Sequence, residues 1–294
     1  MGDFNILSLF IFNFEIMKRF IRHTACFSAL TLVVLLICEG IYYYGAIYQS
    51  KVDGWEVYAA LKQSRKKQSK KKLLLGDSVA MQLYPCDKEH DSIVSLACNQ
   101  AISLAGYYFL LTNYIETNRE SLPEEVILLL NPLTLSNNLD QFAYHYFLKP
   151  FYNEDYKPYF TSYLSLRCRQ IPFYWTAQLP FIRSSSYSFS YELPIESYAL
   201  LSPISYDYLQ LMIDVCASLQ IDFKMCSVPI NVSQETIIEN KLSLENLDRE
   251  TKYYDVLKAY ISSFRYIPSE NFIDKVHLTS ETLQHIDKNE LLLQ

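Results

Sequence analysis

The chain has 294 residues, half of them apolar and 20% charged, with a formal net charge of −6, enough for one large domain or two small ones. This composition excludes a disordered tail protein, and its acidic balance speaks against a broad nucleic-acid-binding surface, so no nucleic-acid partner is expected. Glycine occurs only at Gly2, Gly40, Gly45, Gly54, Gly76 and Gly106, so neither a GxGxxG nor a GxxxxGK[ST] phosphate loop can be written, and dinucleotide-binding and P-loop chemistry are excluded.

The first sixteen residues carry no recognisable signal, whereas MKRFIRHTACFSAL from Met17 reads as an ordinary start for an anchor, which suggests Met17 as the initiator. From Thr24 to Tyr48 the only charge is Glu39, and about 20 apolar residues suffice to span a bilayer as a helix. Lys18, Arg19 and Arg22 precede this stretch and Tyr42, Tyr43, Tyr44 and Tyr48 close it, which predicts one transmembrane anchor at 24–48, residues 1–23 in the cytoplasm and the remainder exported. A cleaved signal peptide starts similarly, but no A-x-A-like site follows, and Ile37 is too bulky for lipidation at Cys38. A basic linker or helix is expected at 49–71, and the cluster Lys62, Arg65, Lys66, Lys67, Lys70, Lys71 and Lys72 that runs through its end reads as a solvated face near anionic headgroups.

Five cysteines, Cys86, Cys98, Cys168, Cys216 and Cys226, follow the anchor without a CxxC, so neither a zinc site nor a full disulfide framework is indicated. One bridge, Cys86 with Cys98 or Cys216 with Cys226, is compatible with an oxidising compartment. Short apolar runs at Leu73–Leu75, Ile93–Leu96, Val126–Leu130 and Phe223–Cys226, with a shorter one ending near Ile273, alternate with helical periodicity over Ile102–Glu116 and Ile204–Leu219. That alternation predicts an α/β domain over 72–294 with a parallel sheet. Residues from about 138 to 202 are rich in Tyr, Phe and Pro without a period, and read either as an insertion over the sheet edge or the site, or as a local aromatic core.

The motif with most chemical content is Leu73-Leu-Leu-Gly76-Asp77-Ser78-Val79, where an apolar strand ends in glycine and delivers a serine to the start of the next element. In a parallel sheet this junction lies at the carboxyl edge, and a helix starting there directs free N–H groups toward developing negative charge. A serine hydroxyl needs a base. Near the C-terminus Asp274-Lys-Val-His277 offers one: a carboxylate three residues before a histidine can hold one ring nitrogen and turn the other toward the serine. Gly76, Asn99, Asn131 and Asp274 each follow a predicted strand, which would gather them at one edge. Metal binding by Asp274 and His277 is disfavoured, since no third His or Cys lies at ligand spacing. His145 reads as packed or surface, His90 and His285 as solvated, and Asn231-Val-Ser233 as a glycosylation acceptor relevant only to a eukaryotic secretory route.

On these residues the sequence resembles the SGNH/GDSL hydrolase superfamily between about Leu73 and Glu281. Gly76-Asp77-Ser78-Val79 is similar to its first block and Asp274-Lys-Val-His277 to its last, D-x-x-H. Asn99-Gln-Ala-Ile-Ser-Leu-Ala-Gly106 resembles the second block and Asn131, in Leu128-Leu-Leu-Asn131-Pro132, stands where the third-block asparagine would. The third block departs from the family's G-x-N-D, and Gly106 lies seven residues after Asn99, so that Asn99 or Ser103 is an alternative contributor. The resemblance implies a flavodoxin-like three-layer α/β/α sandwich and a catalytic triad of Ser78, His277 and Asp274. It also implies an oxyanion hole from Ser78 N–H, Gly106 N–H and the Asn131 amide, with Asn99 as a further candidate, and no metal or other cofactor. The activity it implies is that of a membrane-anchored serine esterase or O-acyltransferase. The expected substrate is an acyl ester, acetyl above all, on a cell-envelope glycan, and the partners are the membrane and, for transfer, a membrane-embedded acyltransferase. An inactive binding or assembly protein of the same fold, and a lipase or thioesterase, are the alternatives.

Overall fold

The computed structural model describes residues 4–44, 54–152, 156–178, 201–241 and 253–292. Four parallel strands, β1 (Lys72–Gly76), β2 (Ile93–Ser95), β3 (Glu125–Leu130) and β4 (Asp222–Ser227), form one sheet in the order β2-β1-β3-β4. The register runs from Lys72 opposite Ile93 and Glu125 to Leu130 opposite Ser227. All four coincide with predicted apolar runs to within a residue or two. The strands are hydrophobic on both faces because both are covered. Leu73, Leu75, Val126, Leu128 and Leu130 enter one core with helices α2 (Trp55–Ser64), α4 (Ser103–Thr117), α6 (Pro203–Ser218) and α7 (Tyr254–Ser262). Their alternates Leu74, Ile127, Leu129 and Cys226 enter the other, with α3 (Ser78–Leu83) and α8 (Lys288–Leu292). The result is an α/β/α sandwich.

Between β3 and α6 the aromatic-rich segment folds, in its described part, into a π-helical turn at Tyr144–Leu148 continuing to Phe151, followed by α5 (Ser162–Gln170). Phe109 of α4 stacks on Tyr156 and Phe160 and meets Phe147, Phe151 and Tyr208 edge-on or tilted. These rings form a local aromatic core. Within it the buried Arg167 guanidinium binds the Asp140 carboxylate at 2.7 Å and the Asn138 carbonyl at 2.9 Å. Residues 179–200 lie outside the described part of the predicted insertion.

Several expectations change. The strand expected to end near Ile273 is instead β6 (Tyr266–Ile267), which pairs in parallel with β5 (Ile230–Asn231) outside the main sheet. Asp274 therefore does not follow a strand of the main sheet; Phe272 and Leu278 form an antiparallel bridge that closes its loop. The segment at 49–71, expected as a linker or helix, contains α2, whose Val57 and Ala60 are fully buried in the domain core. Its basic residues do not form one helix face: Lys70, Lys71 and Lys72 pair with Glu89, Glu124 and Glu125 at the amino edge of the sheet. His90 is half-buried against Tyr84 and the Pro85 carbonyl. Asn231 is buried, its side-chain oxygen accepting from Ser233 N–H and the Ser269 hydroxyl, so this acceptor motif is not presented at the surface. All seven cysteines are free thiols.

The N-terminal helix α1 runs from Phe4 to Tyr44. Its apolar portion, Phe14–Cys38, is long enough to cross a membrane and packs against nothing in the domain. This portion begins earlier than the expected span of 24–48, whose last four residues lie outside the described part. Length and composition of this kind fit an anchor and a signal sequence alike.

Candidate functional site

Three neighbouring strands end in the same local device. Asp77, Asn99 and Asn131 are each the first residue beyond, or close beyond, the carboxyl ends of β1, β2 and β3, and each turns a side-chain oxygen onto the N–H two residues ahead. Short polar side chains favour this cap because the first N–H groups of a helix have no intrahelical partner. The six-residue α3 is too short to stand alone and depends on Asp77, whose Oδ1 accepts from Val79 and Ala80 N–H at 3.0 and 3.2 Å. The other carboxylate oxygen of Asp77 accepts from Asn131 N–H at 2.6 Å and the Thr134 hydroxyl at 2.8 Å. Asp77 thus ties the serine turn to the end of β3. Burial pushes its carboxyl above the ordinary value, against hydrogen bonds from Asn131, Thr134, Ala80 and Val79 that favour the anion. Gly76 is required by crowding: a Cβ there would overlap the Leu129 carbonyl oxygen and the Ala80 methyl.

The cap leaves Ser78 at the first position of α3, half-buried. Its Oγ lies 2.9 Å from His277 Nε2, across 199 residues of sequence. His277 Nδ1 lies 2.8 Å from Asp274 Oδ2, while Asp274 Oδ1 accepts from Val276 and His277 N–H at 2.6 and 2.7 Å. Burial is the largest single influence on the Asp274 carboxyl and raises it, but the His277 N–H, the imidazole and Val276 N–H together outweigh it and bring it down to about 2. An ionised Asp274 requires the proton on Nδ1, which leaves Nε2 as the acceptor for the serine O–H. The pair remains accessible: the His277 and Asp274 side chains are 39% and 54% exposed.

Asn131 is buried, and with Oδ1 committed to Leu133 N–H its Nδ2 is also buried and has no hydrogen-bond partner. An orphaned donor of this kind calls for an explanation. Asn99 sits beside the serine turn, since Cys98 N–H donates to the Gly76 carbonyl at 2.9 Å. Gly106 has a different setting. It lies within α4 and a Cβ would overlap the Ile102 side chain, so packing accounts for the glycine. The strained residue of this stretch is Ser103, at φ 55° and ψ 179°, a conformation that costs a non-glycine residue about 1–3 kcal/mol.

Two contributors were not read from the sequence. Thr134 holds Asp77 and also donates toward Gln100 Oε1 at 3.2 Å. Gln82, one turn after Ser78 on α3, brackets the residue following the histidine: its Nε2 donates to the Leu278 carbonyl at 3.3 Å and its Oε1 accepts from Leu278 N–H at 3.0 Å. The i, i+4 spacing from Ser78 was the available signal. Among the described residues no group of three His, Cys, Asp or Glu gathers as a metal site.

No family model matches the chain, and no curated protein matches it. One solved structure is similar, provisionally described as a platelet activating factor from Streptococcus pneumonia, with 12% identity over 88% of this chain and 94% of that one and a TM-score of 0.34.

Proposed function

We propose that this chain is a serine esterase or O-acyltransferase of the SGNH type. The observation that carries the reading is the hydrogen-bonded series from Ser78 Oγ through the His277 ring to the Asp274 carboxylate. His277 Nε2 takes the hydroxyl proton as Oγ attacks the carbonyl carbon of an ester, and Asp274 holds the imidazolium that forms. The tetrahedral oxyanion is received by Ser78 N–H, unpaired at the start of α3, and by Asn131 Nδ2, with the Asn99 amide as a third donor. The orphaned state of Asn131 Nδ2 supports this assignment, because a donor reserved for an oxyanion has no partner before the reaction begins. Collapse expels the alkoxide with the proton from His277 and leaves an acyl-serine. Water or a sugar hydroxyl, deprotonated by the same imidazole, then accepts the acyl group. With α1 as an anchor, an acetylated envelope glycan on the outer side is the substrate class we assign.

A fluorophosphonate probe tests the reading directly. Wild-type protein should be labelled and Ser78→Ala should not; equal labelling of the two, or none of a folded wild-type protein, overturns it.

A further inference from the structure

The point at which the chain enters the domain after α1 lies at one identifiable edge of the sheet. The C-terminal end of α2 lies at the amino edge of the sheet, where Asn113 Nδ2 donates to Ser64 Oγ at 3.3 Å and Asn118 accepts from Gln68 N–H and donates to the Lys66 carbonyl. Its N-terminal end therefore points to the carboxyl edge, the lip that holds Ser78. Gly54, the residue preceding α2, is packed there against the His145 carbonyl and the Tyr146 ring, in the π-helical turn that adjoins Gln100–Ile102. Nine residues separate Tyr44 from Gly54, a reach of at most about 35 Å even fully extended. The chain thus joins the domain at the catalytic lip, whereas Lys70, Lys71 and Lys72 lie at the opposite edge, paired with Glu89, Glu124 and Glu125.

The same end of the molecule exposes large apolar rings. Trp55, directly after Gly54, is 36% exposed and Trp175 53%. Phe142, whose ring leans on Tyr146, and Phe173 are exposed as well, both at positive φ. Thr176 bonds the Tyr144 hydroxyl at 2.9 Å, which fastens the Phe173–Trp175 segment to the same π-helical turn. On the His277 loop Ile273 is also exposed. The chain contains only two tryptophans, and both are here. Amphipathic rings of this kind favour the headgroup region of a bilayer, where a shallow apolar face is buried by roughly 5–10 Å.

We propose that the domain works with its catalytic lip turned toward the bilayer that holds α1, with Trp55, Phe142, Phe173 and Trp175 bedded among the lipid headgroups. The acyl ester it processes is then borne by a membrane-associated molecule. This rests on the anchored, ester-processing reading above and narrows its substrate class.

The test uses the full chain reconstituted into unilamellar vesicles of phosphatidylcholine and phosphatidylglycerol containing lipids brominated at a shallow acyl position. Because α1 holds no tryptophan, emission reports only on Trp55 and Trp175. The expected result is that vesicle-bound protein loses most of its tryptophan emission to the brominated lipid, and that Trp55→Phe and Trp175→Phe each retain a part of the quenching. Protein that floats with the vesicles while its emission is untouched overturns the proposal and leaves the anchor standing. Protein that does not float removes the anchor and the proposal with it. Fluorophosphonate labelling of the same samples separates the chemistry: quenching without labelling of Ser78 keeps the orientation and refutes the esterase.

Discussion

Asn131→Ala separates function from stability more sharply than any other change at the site. The asparagine makes one structural hydrogen bond through its side chain, from Leu133 N–H to Oδ1 at 3.0 Å, and loss of such a cap costs about 1 kcal/mol. Against this, Nδ2 is buried without a partner, and a buried unsatisfied donor costs about 1–3 kcal/mol that the alanine no longer incurs. The backbone N–H that donates to Asp77 is unchanged. The two side-chain effects oppose each other, so the unfolding midpoint should stay close to the wild-type value. Activity should not. Removing one oxyanion donor costs roughly 10²–10³-fold in kcat, or about 2.7–4 kcal/mol. Hydrolysis of p-nitrophenyl acetate gives kcat and KM, and thermal unfolding followed by circular dichroism gives the midpoint. Near-wild-type kcat would refute the oxyanion assignment, and a collapse of the midpoint with activity per folded molecule retained would show Asn131 to be purely structural.

Asp274→Asn should lower kcat by up to about 10⁴-fold by releasing the His277 tautomer, with less loss if solvent at this half-exposed pair takes over part of the role, as read by the same assay. Since folding lowers the Asp274 carboxyl to about 2 from 3.8, its contribution to stability is present above the unfolded value and is lost as pH falls through the folded one. The difference in unfolding midpoint between wild type and Asp274→Asn should therefore shrink between about pH 4 and pH 2, and a constant difference would contradict the pairing. Gln82→Met removes both bonds to Leu278, about 0.5–1.5 kcal/mol each, and should lower kcat by up to about 10²-fold with KM held. In Gln82→Glu the carboxylate still accepts from Leu278 N–H but can no longer donate to the Leu278 carbonyl, so probe labelling at neutral pH should fall between wild type and Gln82→Met; wild-type labelling in both variants would reduce Gln82 to packing. Gly76→Ala forces a methyl into the Leu129 carbonyl and Ala80 and should destabilise by at least the roughly 1–3 kcal/mol of ordinary overpacking, measured as a drop in the unfolding midpoint.

What the sequence determined is local. The runs at Leu73–Leu75 and Val126–Leu130 are apolar at every position because both faces of the sheet are covered, so strand and buried layer could be read together. Asn99 and Asn131 were visible as polar residues that follow predicted strands; that they and Asp77 act as caps came from the structure, where each meets the N–H two residues ahead. The strand near Ile273 was misplaced for the converse reason: Tyr266–Ile267 pairs with Ile230–Asn231, a partner distant in sequence, and the exposed Ile273 only imitates a strand end. Gly106 was conspicuous by scarcity, but its cause is the Ile102 side chain one turn away, and composition does not reveal which neighbour a glycine accommodates. Only the tertiary structure could set His277 against Ser78, latch the loop through Gln82 and leave the Asn131 amide without a partner. Each depends on a distance between segments up to 199 residues apart, and such distances are set by how the two hydrophobic layers close over the sheet.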